Sequence, residues 1–400
     1  MKHSLFALLA AGIAAGSTAM AQTDTNDDPY LWLEDVEGPN ALAWARGQNE
    51  VSLAELEAHP LFEPIHDRAL EILTSDDRIA YPSLQGGMIY NFWRDAEHVR
   101  GLWRRTTVED YRNDQPEWDV LLDLDALAEE EGENWVWAGA SCRYPAYDRC
   151  LVRLSIGGAD ATVTREWDME TREFVDDGFR LDESKSAISW RDRDSVFYGP
   201  AFTGDQVTDS GYPRTVRIWE RGTDASEATI VFEGEQGDVA SRGLRFWDGD
   251  DHYDMIVRAP GFFSRHYYLY RDGETHRLNV PDDAELAGML DGQVLIELKS
   301  DWEVAGSTFA QGALIAGPIE SFETDTPDVA VVFQPGERAS IASVATTENT
   351  VLVNVLDNVV STMLRFTHED GEWKREPLNV PELGSIAVVS TDDRSDRFYY

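Results

Sequence analysis

One unit recurs along this chain: a short apolar run, a polar turn, then a second apolar run. Copies begin at Ile79 (IAYPSLQGGMIYNFW), Trp135 (WVWAGA, then CLVRLS), Ala187 (AISWRDRDSVFYG), Leu244 (LRFWDGDDHYDMIV), Leu286 (LAGMLDGQVLIEL), Ile341 (IASVATTENTVLVNVL) and Ile386 (IAVVSTDDRSDRFYY). Their spacing runs from 42 to 57 residues. The runs are rich in β-branched and aromatic residues and are bounded by Gly, Asp, Asn and Pro, which is strand-and-turn patterning. Each interval has room for an outer hairpin, such as Thr215 to Arg221 with Ala228 to Glu233. Four strands per interval of roughly 50 residues describe a propeller blade, and seven starts describe seven blades. An irregular pair of β-sandwiches is the alternative that even strand spacing leaves open. The last copy stops after its second run, so the seventh blade reads as incomplete and the chain as a piece of a longer one.

The chain has 400 residues, 34 basic and 75 acidic, for a net charge of -41. That balance argues against nucleic acid, whose binding needs Lys and Arg against phosphates, and against docking on anionic membranes. At 42% hydrophobic residues, a large core can be buried. Residues 1–21 read as a cleavable export signal: Lys2, an apolar run from Leu5 to Ala15, and Ala19-Met20-Ala21 at the cleavage position. Cys142 and Cys150 are the only cysteines, and they flank Arg-Tyr-Pro-Ala-Tyr-Asp-Arg. In an exported chain a disulfide across that turn is expected. A zinc site is not, because no histidine falls in a ligand-like pair with them.

Before the repeats, Pro39 and the spacing of Leu42, Ala45, Asn49, Leu53 and Leu56 predict a helix ending near His59-Pro60. A second helix is expected over Leu61 to Leu73. Among the repeats, Leu124 to Glu131 reads as either a helix or a loop. Ahead of these helices stands Asp28-Pro29-Tyr30-Leu31-Trp32-Leu33-Glu34-Asp35, followed by Trp44 and Gln48-Asn49. This stretch resembles the opening of the prolyl oligopeptidase family of serine peptidases. The resemblance implies helices followed by a seven-bladed propeller that gates access to an α/β-hydrolase domain. It also implies cleavage of short peptides after proline, or after basic residues in a sister branch, by a Ser-Asp-His triad.

That triad needs a nucleophile on a tight Gly-x-Ser-x-Gly elbow. The nearest approaches, Gly306-Ser307-Thr308 and Gly384-Ser385-Ile386, lack the second glycine. His252 in an Asp-rich stretch and His266 beside Arg265 read as turn residues. The acidic runs Asp248 to Asp251 and Glu129 to Glu131 lack calcium-loop register and read as solvated turns. Trp93, Trp103, Trp135, Trp137, Trp190 and Trp247 fall in or beside repeat strands and read as packing residues. No phosphate-binding glycine loop is present.

The expectation is therefore a mainly β chain: signal peptide 1–21, helical segment 22–75, and a propeller over 76–400. The hydrolase domain lies outside it, the catalytic residues are expected beyond Tyr400, and no cofactor is needed. The expected partners are short peptides and the chain's own hydrolase domain, on which the helices would pack. The chain alone is expected to be inactive. A stand-alone propeller that binds a peptide or protein is the alternative, and a sugar-active propeller enzyme a third, whose paired carboxylates sequence cannot place.

Overall fold

The computed structural model describes residues 28–400 apart from Val36, Thr203, Glu382 and Leu383, so the expected signal segment lies outside the described residues. The chain divides between Leu73 and Thr74 into a helical unit and a β unit. In the helical unit a 3-10 turn, Leu31–Glu34, precedes helices α1 (Pro39–Glu57) and α2 (Phe62–Leu73). The Asp28 carboxylate accepts the Tyr30 N–H at 2.8 Å, a side-chain-closed turn. Pro39 sits in the first turn of α1, where its missing N–H leaves no bond unmade. Trp32 meets Trp44 edge to face at 6.2 Å, so the two indoles of the opening motif form one contact. Leu53, Leu56, Ile65 and Leu73 remain exposed.

The β unit is a run of antiparallel meanders. The first sheet holds Ser83–Gln85, Met88–Trp93, Leu102–Thr107 and Asp119–Asp123. The second holds Trp135–Cys142, Arg149–Ile156 and Thr162–Asp168, and both Glu173–Phe174 and Arg180–Ser184 pair with its third strand. The third is Ala187–Trp190, Ser195–Gly199, Thr215–Glu220 and Thr229–Glu233. The fourth is Ala240–Asp248, Asp251–Gly261, Ser264–Arg271 and Glu274–Arg277. The fifth is Glu285–Leu290, Gln293–Glu297, Leu314–Pro318 and Ala330–Phe333, with a small hairpin, Trp302–Val304 and Ser307–Phe309, inserted after its second strand. The sixth is Ala339–Thr346, Val351–Asp357, Val360–Glu369 and Glu372–Pro377. A last hairpin pairs Ser390–Thr391 with Phe398–Tyr399.

The core lies between successive sheets. Leu151, Phe179, Trp190, Val196 and Trp219 pack the second sheet on the third. Met255, Leu269, Val294 and Ile315 join the fourth to the fifth, and Leu295, Val353 and Phe366 the fifth to the sixth. A second strand is covered on both faces, so Ser195–Gly199 is buried throughout and reads as a continuous apolar run.

The structure moves some boundaries. The first strand begins at Ser83, and Ile79 is 71% exposed, because an apolar residue beside a polar turn has no neighbouring sheet to cover it. The last pairing begins at Ser390 rather than Ile386. Leu124–Glu131 is a helix, α3: Asp123 caps it by accepting the Asp125 and Ala126 N–H groups, and Gly132 ends it at φ 66°. His252 and His266 lie within strands, not turns. Glu131 does not stand in a loose turn; it accepts the Trp135 indole N–H at 2.9 Å and pairs with Arg165 at 2.7 Å.

Candidate access site at the turn ends of the sheets

The histidines named above are engaged by neighbours rather than by a nucleophile. His266 Nε2 faces Asp282 at 3.2 Å, and His252 lies against Trp247 with ring centroids 5.3 Å apart. Burial and the nearby Arg245 guanidinium hold the His252 imidazolium below its ordinary range. His276 faces Glu323, and His368 faces Asp291. Ser307 sits in the small inserted hairpin and Ser385 in the segment before the last hairpin. Among the described residues, no serine hydroxyl bonds to a histidine ring, and no group of three His, Cys, Asp or Glu side chains is placed to hold a metal.

What the fold does bring together is one end of the sheet array. In a meander the first-to-second-strand turns all lie at one end. There the Asp248 carboxylate accepts the Asp291 N–H at 3.0 Å and the Gly292 N–H at 2.5 Å, linking the fourth sheet to the fifth. The His368 ring bonds Asp291 at 2.7 Å, linking fifth to sixth. Asp396 accepts the Asn349 N–H at 2.9 Å and the Thr347 hydroxyl at 2.8 Å, linking sixth to last hairpin. A cleft of about 550 Å³ opens between these turns, lined by Asp248, Asp251, Asp291, Glu348, Glu369 and His368. Five carboxylates around one cleft repel an anionic group and tolerate a cationic one.

Cys142 and Cys150 form a disulfide, S–S 2.00 Å, between directly paired residues of the second sheet. The turn they close carries Tyr144 and Tyr147 into the same end. Burial raises the hydroxyl pKa of both, and for Tyr147 the bond it donates to Asp393 adds to the rise. Crowding by the surrounding turns likewise lifts the Asp393 carboxyl above its usual range, against the pull of that bond.

At the opposite end lie the second-to-third-strand connections. These leave Val99, Phe202, Phe262, Phe263 and Val359 exposed, with Phe263 85% and Val359 87% accessible. Sequence reading found the disulfide but none of these inter-sheet contacts. Phe262-Phe263 next to Gly261 was the one readable signal, two aromatics inside a turn.

The chain matches, over residues 13–400, the family model described as "Prolyl oligopeptidase, N-terminal beta-propeller domain". It belongs to the prolyl oligopeptidase family. It is similar to the "Uncharacterized peptidase y4nA" of Sinorhizobium fredii, 38% identical over 382 residues, covering 93% of this chain and 53% of that one. It is 29% identical over 405 residues to the "Uncharacterized peptidase RP174" of Rickettsia prowazekii, 93% of this chain and 55% of that one. The chain thus spans about half the length of the curated relatives it matches. A post-proline cleaving enzyme from Rickettsia typhi superposes with a TM-score of 0.82 at 28% identity, over 88% of this chain and 53% of that one. Prolyl oligopeptidase B from Galerina marginata, at 15% identity and a TM-score of 0.66 over 93% of this chain and 52% of that one, shares the fold. This prolyl oligopeptidase family chain is mainly β, as its propeller-domain match requires.

Proposed function

We propose that this chain is the N-terminal and propeller part of an exported serine oligopeptidase that cleaves short peptides after proline. The observation that carries the reading is the family match across nearly the whole chain, to relatives about twice its length. The catalytic Ser, Asp and His would then stand in a C-terminal α/β-hydrolase region. Specificity for proline is supported by likeness to the post-proline cleaving enzyme of Rickettsia typhi.

The six sheets and the last hairpin form seven radial blades in this reading, the seventh represented here by two strands. Ring closure is favoured by the Ser390 hydroxyl, which accepts the Leu84 N–H at 2.7 Å, and by Tyr111 meeting Tyr399 at 5.5 Å. The blades gate peptide access to the hydrolase domain. That domain covers the end carrying Phe202, Phe262 and Phe263, and the helices Pro39–Glu57 and Phe62–Leu73 pack on it. Export follows from the leader at residues 1–21.

The test compares the full-length protein with residues 22–400 on a blocked Gly-Pro chromogenic peptide. Turnover by the full-length protein alone is the expected result. Turnover by the short chain that survives removal of contaminants, or none by either, would sink the reading. In the second case a binding module is the better description.

A further inference from the structure

Among the described residues, one turn bonds past its neighbouring sheets. It is Arg143–Asp148 of the second sheet. The Tyr144 hydroxyl donates to the Gly249 carbonyl at 3.0 Å, and its ring lies 4.8 Å from that of Trp247. Both partners belong to the fourth sheet. The Tyr147 hydroxyl donates to Asp393, and Arg394 donates to the Pro145 carbonyl at 3.3 Å. Both partners belong to the last hairpin. The Tyr147 ring also presses on the first sheet, where a Cβ added to Gly86 would come within 2.6 Å of it. Within four consecutive residues, Tyr144, Pro145 and Tyr147 thus touch the first, fourth and last units from a base in the second.

The turn is rigid from within. The Cys142–Cys150 disulfide closes its base. The Arg143 N–H donates to the Arg149 carbonyl at 2.8 Å and the Tyr147 N–H to the Arg143 carbonyl at 2.7 Å. Arg143 and Asp148 form an ion pair, and Tyr144 meets Tyr147 edge to face at 5.8 Å. In a ring of radial sheets, units separated by a third can meet only across the axis. A turn that reaches from the second sheet to the fourth on one side and to the last hairpin on the other therefore lies over the axial opening.

We propose that Arg143–Asp148 is a disulfide-pinned plug across the axial opening at the first-turn end, with Tyr144 and Tyr147 as the residues that exclude peptides from that route. This rests on the reading of the chain as the gating part of a peptidase. It makes the two tyrosines size-selecting residues for the whole enzyme. Short peptides then reach the hydrolase domain by another route, and long chains cannot thread through the ring.

The experiment uses the full-length protein and three variants: Tyr144→Ala with Tyr147→Ala, Cys142→Ser with Cys150→Ser, and Tyr147→Phe. Hydrogen exchange first establishes that each variant is folded and that exchange rises at residues 143–148 and 390–399. The kcat/KM for a blocked Gly-Pro chromogenic peptide is then compared with that for a long unstructured peptide holding one proline. The plug predicts that the double alanine variant keeps short-peptide turnover within about twofold and gains about tenfold on the long peptide. The cysteine variant gains less, and Tyr147→Phe, which loses only the bond to Asp393, least. An unchanged long-to-short ratio in a folded variant with a released turn overturns the plug. Absence of short-peptide turnover in the parent protein instead defeats the peptidase reading. The plug is then judged by labelling. A cysteine at Ser343, exposed on the innermost strand of the sixth sheet, should react faster with a bulky polyethylene-glycol maleimide, relative to a small one, once the tyrosines are removed. An unmoved ratio rejects the plug.

Discussion

Glu166 is a buried carboxylate held between two arginines. Its side chain is fully buried; Arg221 donates to it at 2.9 and 3.1 Å and the Phe179 N–H at 2.9 Å, while the Arg149 guanidinium stands 3.6 Å away as an ion pair. A carboxylate without water is tolerable only because each oxygen faces a donor. Removing it leaves two guanidinium groups facing each other between the second and third sheets. Glu166→Ala should cost about 3–5 kcal/mol, read as a lower urea midpoint at unchanged slope. A loss under about 1 kcal/mol would mean that water takes the carboxylate's place. Asp168 offers a pH test. Burial alone would raise its carboxyl, but the Thr171 and Glu170 N–H groups and Arg149 outweigh it and hold the carboxyl below the usual range. The stability this contributes is present above the unfolded value and is lost as pH falls through the folded one. Asp168→Asn should be less stable than the parent at pH 7 by about 1–2 kcal/mol, with the gap shrinking as pH falls below the ordinary carboxylate range. A gap constant with pH would remove Asp168 from the acid limb.

Elements were unequally legible in the sequence. Second strands such as Val351–Asp357 stand out because burial on both faces of Val351–Val355 favours a nearly continuous apolar run, interrupted there by Asn354 alone. The ends of the β region do not, since Ile79 looks like a core residue and is solvent-exposed. Helix α3 was ambiguous over only eight residues, and Asp123 with Gly132 decides it by capping both ends. The cysteine pair was readable from an eight-residue spacing across a turn. Its partners were not, because Tyr144 meets Gly249 at a separation of 105 residues and Tyr147 meets Asp393 at 246. No local period encodes such a meeting. On the chain-entropy account, closing so short a loop limits the disulfide to about 2–3 kcal/mol. Cys142→Ser with Cys150→Ser should lower stability by that amount in equilibrium unfolding without altering the far-ultraviolet spectrum. A gain, or loss of β signal, would show that the bond acts otherwise.

Across the whole molecule, a net charge of -41 sets a repulsion that packing must overcome. Arginines answer it around the fourth sheet: Arg245 pairs with its cross-strand neighbour Asp254 at 2.6 Å, Arg191 beside the third sheet reaches the same carboxylate at 2.9 Å, and Arg258 meets Asp238 at 2.8 Å. The excess acid remains on the surface, where salt screens it. Raising sodium chloride from 10 mM to 0.5 M should lift the melting temperature by a few degrees, roughly what 1–2 kcal/mol gives a chain of this size. A fall would mean that the buried pairs, not the surface, dominate the salt response. The contact of Leu84 with Ser390, 306 positions apart, has a temporal consequence. During synthesis the early sheets emerge first and can stack only as an open fan. The proposed ring would have to wait for residues 390–399 to leave the ribosome. Contacts of such long range are slow to form. Closure would then come after the stacking of the early sheets, and it would depend on a hairpin whose own strands are two residues each.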